Sequence, residues 1–290
     1  MGKWYTFRMS SAYISHHTSL TALLAAEVLA SAGFSQKAGA VWVTITGSGG
    51  KTSLMESLAY QLAKKRDLRV IISTTTRLAS PIDHLYPCDH MVLDGELTGL
   101  HDHPLSGEVV LFGMMESGKI ACPGVEKLVD LASRCDVLLL EGDGARHRPL
   151  KIHADRDPVI PSQTQLVIAL MGLSAFGRPL DEDSCFLTDR YRELTGDRLH
   201  TIGAGMYRSL LDHPQGVFKG VEAGRRFILV LNQSDLMYET AIKDLVATMI
   251  AGWTGIPYLF VVGSVHQDLV VLCEEVMGSN PVKGAACAHI

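Results

Sequence analysis

The chain has no excess of basic charge. Its 290 residues carry a formal net charge of −5, which leaves no electrostatic footprint for nucleic acid, and no nucleic-acid partner is expected. No run approaches the ~18 consecutive apolar residues of a membrane span, so none is expected. Cysteine is scarce and scattered: Cys88, Cys122, Cys135, Cys185, Cys273 and Cys287 contain no C-x-x-C pair. A disulfide framework is unusual in so long a chain, and the pattern reads as reduced thiols of a cytoplasmic protein. His101-x-His103 and the other histidines lack zinc-site spacing, so no structural metal site is expected. Internal repeats, low-complexity tracts and a strand-borne Ser-His or Cys-His constellation for covalent chemistry are also missing.

What is present is ordinary globular material, 47% hydrophobic and 20% charged, enough to bury a sizeable core. Lys3 and Arg8 before the apolar stretch 20–26, with Ala30-Ser31-Ala32 after it, imitate a secretion signal. Glu27 interrupts that stretch, however, and a strand begins soon after it, so 18–32 is expected to be an amphipathic helix. The expected organisation is an N-terminal extension at 1–39, one α/β domain at 40–278 and a flexible tail at 279–290.

Within 40–278, β-rich apolar runs alternate with helical patterns. Strands are expected at 41–46, 68–73, 136–140, 165–171, 227–231 and 258–262, with weaker ones at 91–93 and 109–114 suggesting a hairpin. Helices are expected at 52–65, after Pro123, at 236–250 and at 265–277. This alternation predicts an α/β fold of phosphate-loop NTPase type, a mostly parallel sheet with helices on both faces. The polar segments 77–108 and 142–164 exceed ordinary loop lengths and read as functional loops.

The stretch Gly47-Ser48-Gly49-Gly50-Lys51-Thr52-Ser53 runs from a strand straight into a helix. Glycines let consecutive N–H groups turn inward as an anion nest, and the helix N-terminus adds partial positive charge. Lys51 is expected to reach the β- and γ-phosphates of ATP or GTP and to assist catalysis, with the Thr52 hydroxyl ligating Mg²⁺. Ile45 stands where the longer form of the motif has its first glycine.

Such a loop needs a carboxylate at a neighbouring strand end. Glu141 and Asp143 stand at the end of the most strand-like run, on one face of an extended segment. Asp143, beside Gly144, is expected to hold the metal, and Glu141 to assist or orient a water. Thr74, Thr75 and Thr76, with Arg77, follow the second strand and are candidates for sensing the γ-phosphate. The basic group Arg146, Arg148 and Lys151 is a candidate for a second anion. Asn232-Gln-Ser-Asp235 closes another strand where many GTPases carry Asn-Lys-x-Asp to read guanine, and a helix cap at Ser234 or Asp235 is equally compatible with it.

Together, GSGGKTSLM (47–55), VIISTTTRLASP (70–81), LLLEGDGARHRPLK (138–151), DPVIP (157–161), GLSAFGRPL (172–180) and LNQSD (231–235) resemble the YqeC family over 40–275. The resemblance implies a cytosolic nucleotide-binding accessory protein that helps to mature selenium-dependent molybdenum hydroxylases, with such a hydroxylase or its maturation machinery as partner. Departures are the long N-terminal extension and Gln233, where the family pattern tends to lysine. The loop also resembles the ATP loop of Mur-type ligases, and a GTP-switched metallochaperone is a third reading. Slow NTPase activity coupled to a partner is expected.

Overall fold

Short runs of β-branched and aliphatic residues such as Val41-Trp-Val-Thr-Ile and Val137-Leu-Leu-Leu carry no polar alternation, so their strands must be buried on both faces. The computed structural model describes residues 18–32, 39–196, 200–222 and 224–278. The expected tail at 279–290 and the first 17 residues lie outside these.

Chain order is α1 (Leu20–Ala32), β1 (Val41–Gly47), α2 (Lys51–Arg66), β2 (Val70–Thr74), β3 (Arg77–Leu78), β4 (His90–Val92), β5 (Val109–Phe112), β6 (Met114–Glu116), β7 (Lys119–Ala121), α3 (Val125–Ala132) and β8 (Val137–Glu141). There follow β9 (Leu150–Lys151), β10 (Leu166–Gly172), β11 (Cys185–Phe186), α4 (Thr188–Thr195), α5 (Ala204–Asp212), β12 (Arg226–Asn232), α6 (Glu239–Ile250), β13 (Tyr258–Ser264) and β14 (Leu269–Val276). Nine strands form the main sheet in the order β14-β13-β12-β10-β1-β8-β2-β5-β4, and every pair is parallel except β13–β14.

Successive strand residues point to opposite faces, and the core divides accordingly. Val43, Ile45, Leu139 and Ile168 face α1 and α2. Trp42, Leu138 and Leu140 face α3, while Val167, Ala169 and Leu229 face α5 and α6. Helices therefore cover both sides. On α2, Leu54, Leu58 and Leu62 are fully buried at helical spacing, each contributing about 1.5–3 kcal/mol. The helix at the N-terminal side, α1, buries Leu20, Leu24 and Val28 in the same core as α2. No helix among the described residues is long and apolar enough to cross a membrane.

Two expected elements differ. Residues 265–277 do not form a helix: 269–276 is an edge strand antiparallel to β13. Val265, Leu269, Leu272 and Val276 mimic helical spacing, but Asp268 turns the chain with a φ of 48°. Its carboxylate then caps α1, accepting from Thr21 N at 2.8 Å and Ser19 Oγ at 2.6 Å. Nor do 91–93 and 109–114 form a hairpin, since β4 and β5 run parallel. The hairpin lies just beyond, joining β6 to β7 through Ser117-Gly118, both at positive φ as a tight two-residue turn demands.

Candidate functional site

Strand β1 lies between β8 and β10, so the loop that follows it is flanked by two strand ends. Ser48 N donates to Leu170 O at 2.9 Å and Ser48 Oγ to Pro149 O at 3.0 Å, which pins the loop to its neighbours. The glycines are required by contact. A Cβ on Gly47 would come within 2.2 Å of Leu170 O, and one on Gly49 within 2.4 Å of Gly172 Cα, both at positive φ. Gly50 precedes α2 in the left-handed region with no side-chain cap. The first N–H groups of the helix are thus left for another acceptor.

Two buried lysines and two acids meet beneath the loop. Lys51 Nζ donates to Gly47 O at 2.8 Å and lies 3.2 Å from Asp143 Oδ1 and 4.0 Å from Glu141 Oε1. Asp143 is wholly buried. Its Oδ2 accepts from Gly47 N and from Lys151 Nζ, each at 3.0 Å. Burial opposes ionisation of Asp143, but the charges of Lys51 and Lys151 outweigh it and hold the carboxyl below its usual range. Burial likewise opposes the charge on Lys51, and Asp143 followed by Glu141 raises its pKa nonetheless. Both members of the pair are therefore held charged.

Glu141 occupies a different place. Its Oε2 accepts from Thr52 Oγ1 at 3.2 Å, and burial raises its pKa against the pull of Lys51. The geometry separates the two acids. Glu141 stands against the hydroxyl that opens α2, whereas Asp143 is committed to two ammonium groups and a backbone N–H. Oxygen donors such as Thr52 and Glu141 suit a hard cation like Mg²⁺, and the uncapped glycine loop beside them suits a polyphosphate.

The other residues singled out in the sequence fall into three groups. Thr74 Oγ1 donates to Glu141 O at 2.9 Å and Thr75 Oγ1 to Val159 O at 2.8 Å. Thr76 N donates to Thr74 Oγ1 at 2.9 Å. These threonines brace the end of β8 and the 157–161 element. Of the basic group, Lys151 is a buried counter-ion to Asp143, also donating to Gly144 O at 2.7 Å. Arg148 bonds Glu182 O and lies 3.2 Å from Asp183 Oδ1, and Arg146 sits over the Phe186 ring. Lys151 and Arg146 lie over the same Phe186 ring, whereas Arg148 pairs with the 182–183 segment.

Asn232 bridges two segments: its Nδ2 donates to Gly49 O at 2.8 Å, and its Oδ1 accepts from Val265 N at 2.8 Å. Gln233 Oε1 accepts from Ser174 N at 3.2 Å. Asp235 is exposed in a short 3-10 turn, and no side chain caps that turn. A cavity of about 450 Å³ opens beside the loop, lined by Gly50, Ser53, Asn232, Asp235, Ser264 and His266 among others. That volume is in the range of small-molecule sites. Ser53 and Asp235 line this cavity rather than the Lys51 cluster.

His153, Asp157 and Ser264–His266 escaped the sequence reading. His153 Nδ1 lies 3.2 Å from Asp143 Oδ2, and burial holds its pKa down at about 3, so the ring stays neutral. Asp157 Oδ2 lies 3.6 Å from Lys151 Nζ. His153 stands two residues after Lys151, and that strand-like spacing is the one local signal it carries.

A mostly parallel sheet, with a glycine-rich turn between its central strand and a helix, makes this an α/β protein of phosphate-loop NTPase-like fold. The family described as YqeC protein matches residues 43–189. The uncharacterized protein YqeC of Escherichia coli (strain K12) is 31% identical over 197 residues, covering 66% of this chain and 75% of the relative. The chain belongs to the YqeC family. No solved structure matches it.

Proposed function

We propose that this protein binds a nucleoside triphosphate with Mg²⁺ and serves as an accessory protein in the maturation of selenium-dependent molybdenum hydroxylases. The observation that carries the first half is the uncapped glycine loop, with Lys51 beneath it and the Thr52–Glu141 oxygen pair beside it. The nest and the start of α2 receive the phosphates, and Lys51 turns from Gly47 O toward them. Thr52 and Glu141 hold the metal directly or through water, and Asp143 with Lys151 keeps the loop and Lys51 in place. The cavity beside Asn232, Asp235 and His266 receives the base. The maturation role follows from the family resemblance.

Hydrolysis is slow until a partner binds, well below the ~10 s⁻¹ typical of enzymes. Arg146 and Arg148 bond elsewhere in this state, and phosphoryl transfer depends on a cation placed at the developing charge. Calorimetry with ATP and GTP, each with Mg²⁺ and with chelator, tests the binding. Micromolar or tighter affinity that needs the metal is expected, and the preferred base emerges from the same titrations. Absence of binding by the intact protein removes the reading. Capture of partners from native cells with nucleotide trapped tests the maturation role, and recovery of no molybdenum hydroxylase or maturation protein overturns it.

A further inference from the structure

The main sheet carries a second charged cluster at the opposite ends of its strands. The glycine loop, Glu141 and Asn232 close β1, β8 and β12, whereas His90 opens β4 and Glu108 immediately precedes β5. His103, from the connection between those two strands, lays its ring against that of His90 with centroids 3.8 Å apart and a 32° tilt. Both edges then point at one carboxylate. His103 Nδ1 is 2.8 Å from Glu108 Oε2, and His90 Nε2 is 3.5 Å from Glu108 Oε1. One ligand atom from each of the three residues lies within 4.8 Å of the others.

We propose that His90, His103 and Glu108 bind a zinc-type divalent cation through three protein ligands, with water completing a tetrahedron. Zinc–ligand bonds of about 2.0–2.2 Å place tetrahedral donors roughly 3.3 Å apart. The His90–Glu108 separation of 3.5 Å is close to that spacing, and the His103–Glu108 hydrogen bond at 2.8 Å would open by about half an ångström to admit the ion. Two imidazoles with one carboxylate select a borderline transition metal over Mg²⁺ or Ca²⁺, which take oxygen sets.

The surroundings hold the donors in place. Glu108 Oε2 also accepts from Leu105 N at 2.8 Å. Asp89 Oδ2 accepts from Val109 N at 2.8 Å and from Lys64 Nζ at 2.8 Å. The residue before His90 is thereby tied to the residue after Glu108, fixing the register of the two ligand-bearing strand starts. Such outer contacts orient metal ligands. The cation would staple the 93–108 connection to the sheet edge, at the other end of the strands from the glycine loop.

The test uses the full chain freed of metal by chelator and titrated with Zn²⁺ or Co²⁺. One equivalent should bind, with Co²⁺ giving the visible bands of a four-coordinate nitrogen–oxygen site and no thiolate charge-transfer band. His90→Ala and His103→Ala should weaken Zn²⁺ binding by at least ~100-fold, beyond the loss typical of an outer contact, and Glu108→Gln should weaken it as well. Zn²⁺ should raise the melting temperature of the unaltered chain and leave the variants unmoved. Matching melting temperatures of the metal-free proteins would show that the variants fold. Equal Zn²⁺ affinity in chain and variants, a thiolate band, or no uptake by the unaltered chain overturns the proposal.

Discussion

Charged groups gather at both ends of the main sheet, and the two gatherings differ in burial. Beneath the glycine loop, Asp143, Lys51 and Lys151 are almost wholly enclosed, whereas His90, His103 and Glu108 remain 40%, 30% and 20% exposed. Enclosed ions must be compensated within the protein, because desolvation of each costs several kcal/mol. That demand explains why Asp143 takes contacts from two ammonium groups and one backbone N–H. Half-exposed groups keep their water, so the edge cluster can exist without full pairing. The comparison teaches that an enclosed strand-end acid needs counter-charges from the protein itself, whereas a part-exposed one does not. Asp143 Oδ2 is bonded to Gly47 N and Lys151 Nζ and its Oδ1 lies 3.2 Å from Lys51 Nζ, whereas Glu141 Oε2 accepts from Thr52 Oγ1.

Breaking the enclosed network should have the largest effect. Asp143→Ala leaves Lys51 and Lys151 without their shared counter-ion and should cost about 3–5 kcal/mol of stability, read by chemical denaturation. The same carboxylate shapes the acid limb. Its folded pKa lies below the unfolded one, so its contribution is fully present above about 3.9 and is lost as pH falls through the lower folded value. Stability curves measured between pH 2 and 6 should fall more steeply for the unaltered chain than for Asp143→Asn. Parallel curves would show that Asp143 is not the group that the network holds charged.

The next effect is on ligand affinity. Lys51→Ala removes a charge-assisted contact of about 1.5–3 kcal/mol, so triphosphate affinity should fall roughly ten- to a hundredfold by calorimetry. Unchanged affinity would separate the glycine loop from phosphate binding. Glu141→Gln should sharpen the contrast between the acids by weakening the Mg²⁺ complex about tenfold while leaving metal-free nucleotide unaffected. If Asp143→Asn produces that signature instead, the division between the two carboxylates is reversed. The smallest effect belongs to the exposed edge: in metal-free protein, Glu108→Gln should cost less than ~1 kcal/mol.

Much of the fold was legible because it is written locally. The runs at 41–46, 136–140 and 227–231 are too uniformly apolar for anything but enclosed strands, and 52–65 places Leu54, Leu58 and Leu62 on one helical stripe. Residues 265–277 misled because their apolar spacing satisfies a helix as well as a strand. Pairing with β13 and the Asp268 turn decide the matter, and neither is visible within a short window. Helix α4 carries little signal, since Thr188–Thr195 buries only Thr188 and Tyr191, whereas α5 buries Met206, Tyr207, Leu210 and Leu211 at helical spacing but spans only nine residues.

By itself the sequence determined the order of strands and helices in the central region and the glycine turn between β1 and α2. Those depend on φ preferences and on the periodicity of neighbouring side chains, which are properties of adjacent residues. Only the tertiary structure decided that Lys151 is buried against Asp143, that Asn232 bridges Gly49 to Val265, and that His90 meets His103 and Glu108. Each joins segments that separate elements carry to one place, Asn232 and Gly49 being 183 residues apart. Strand order and register set such meetings, and both are fixed by packing of the whole core.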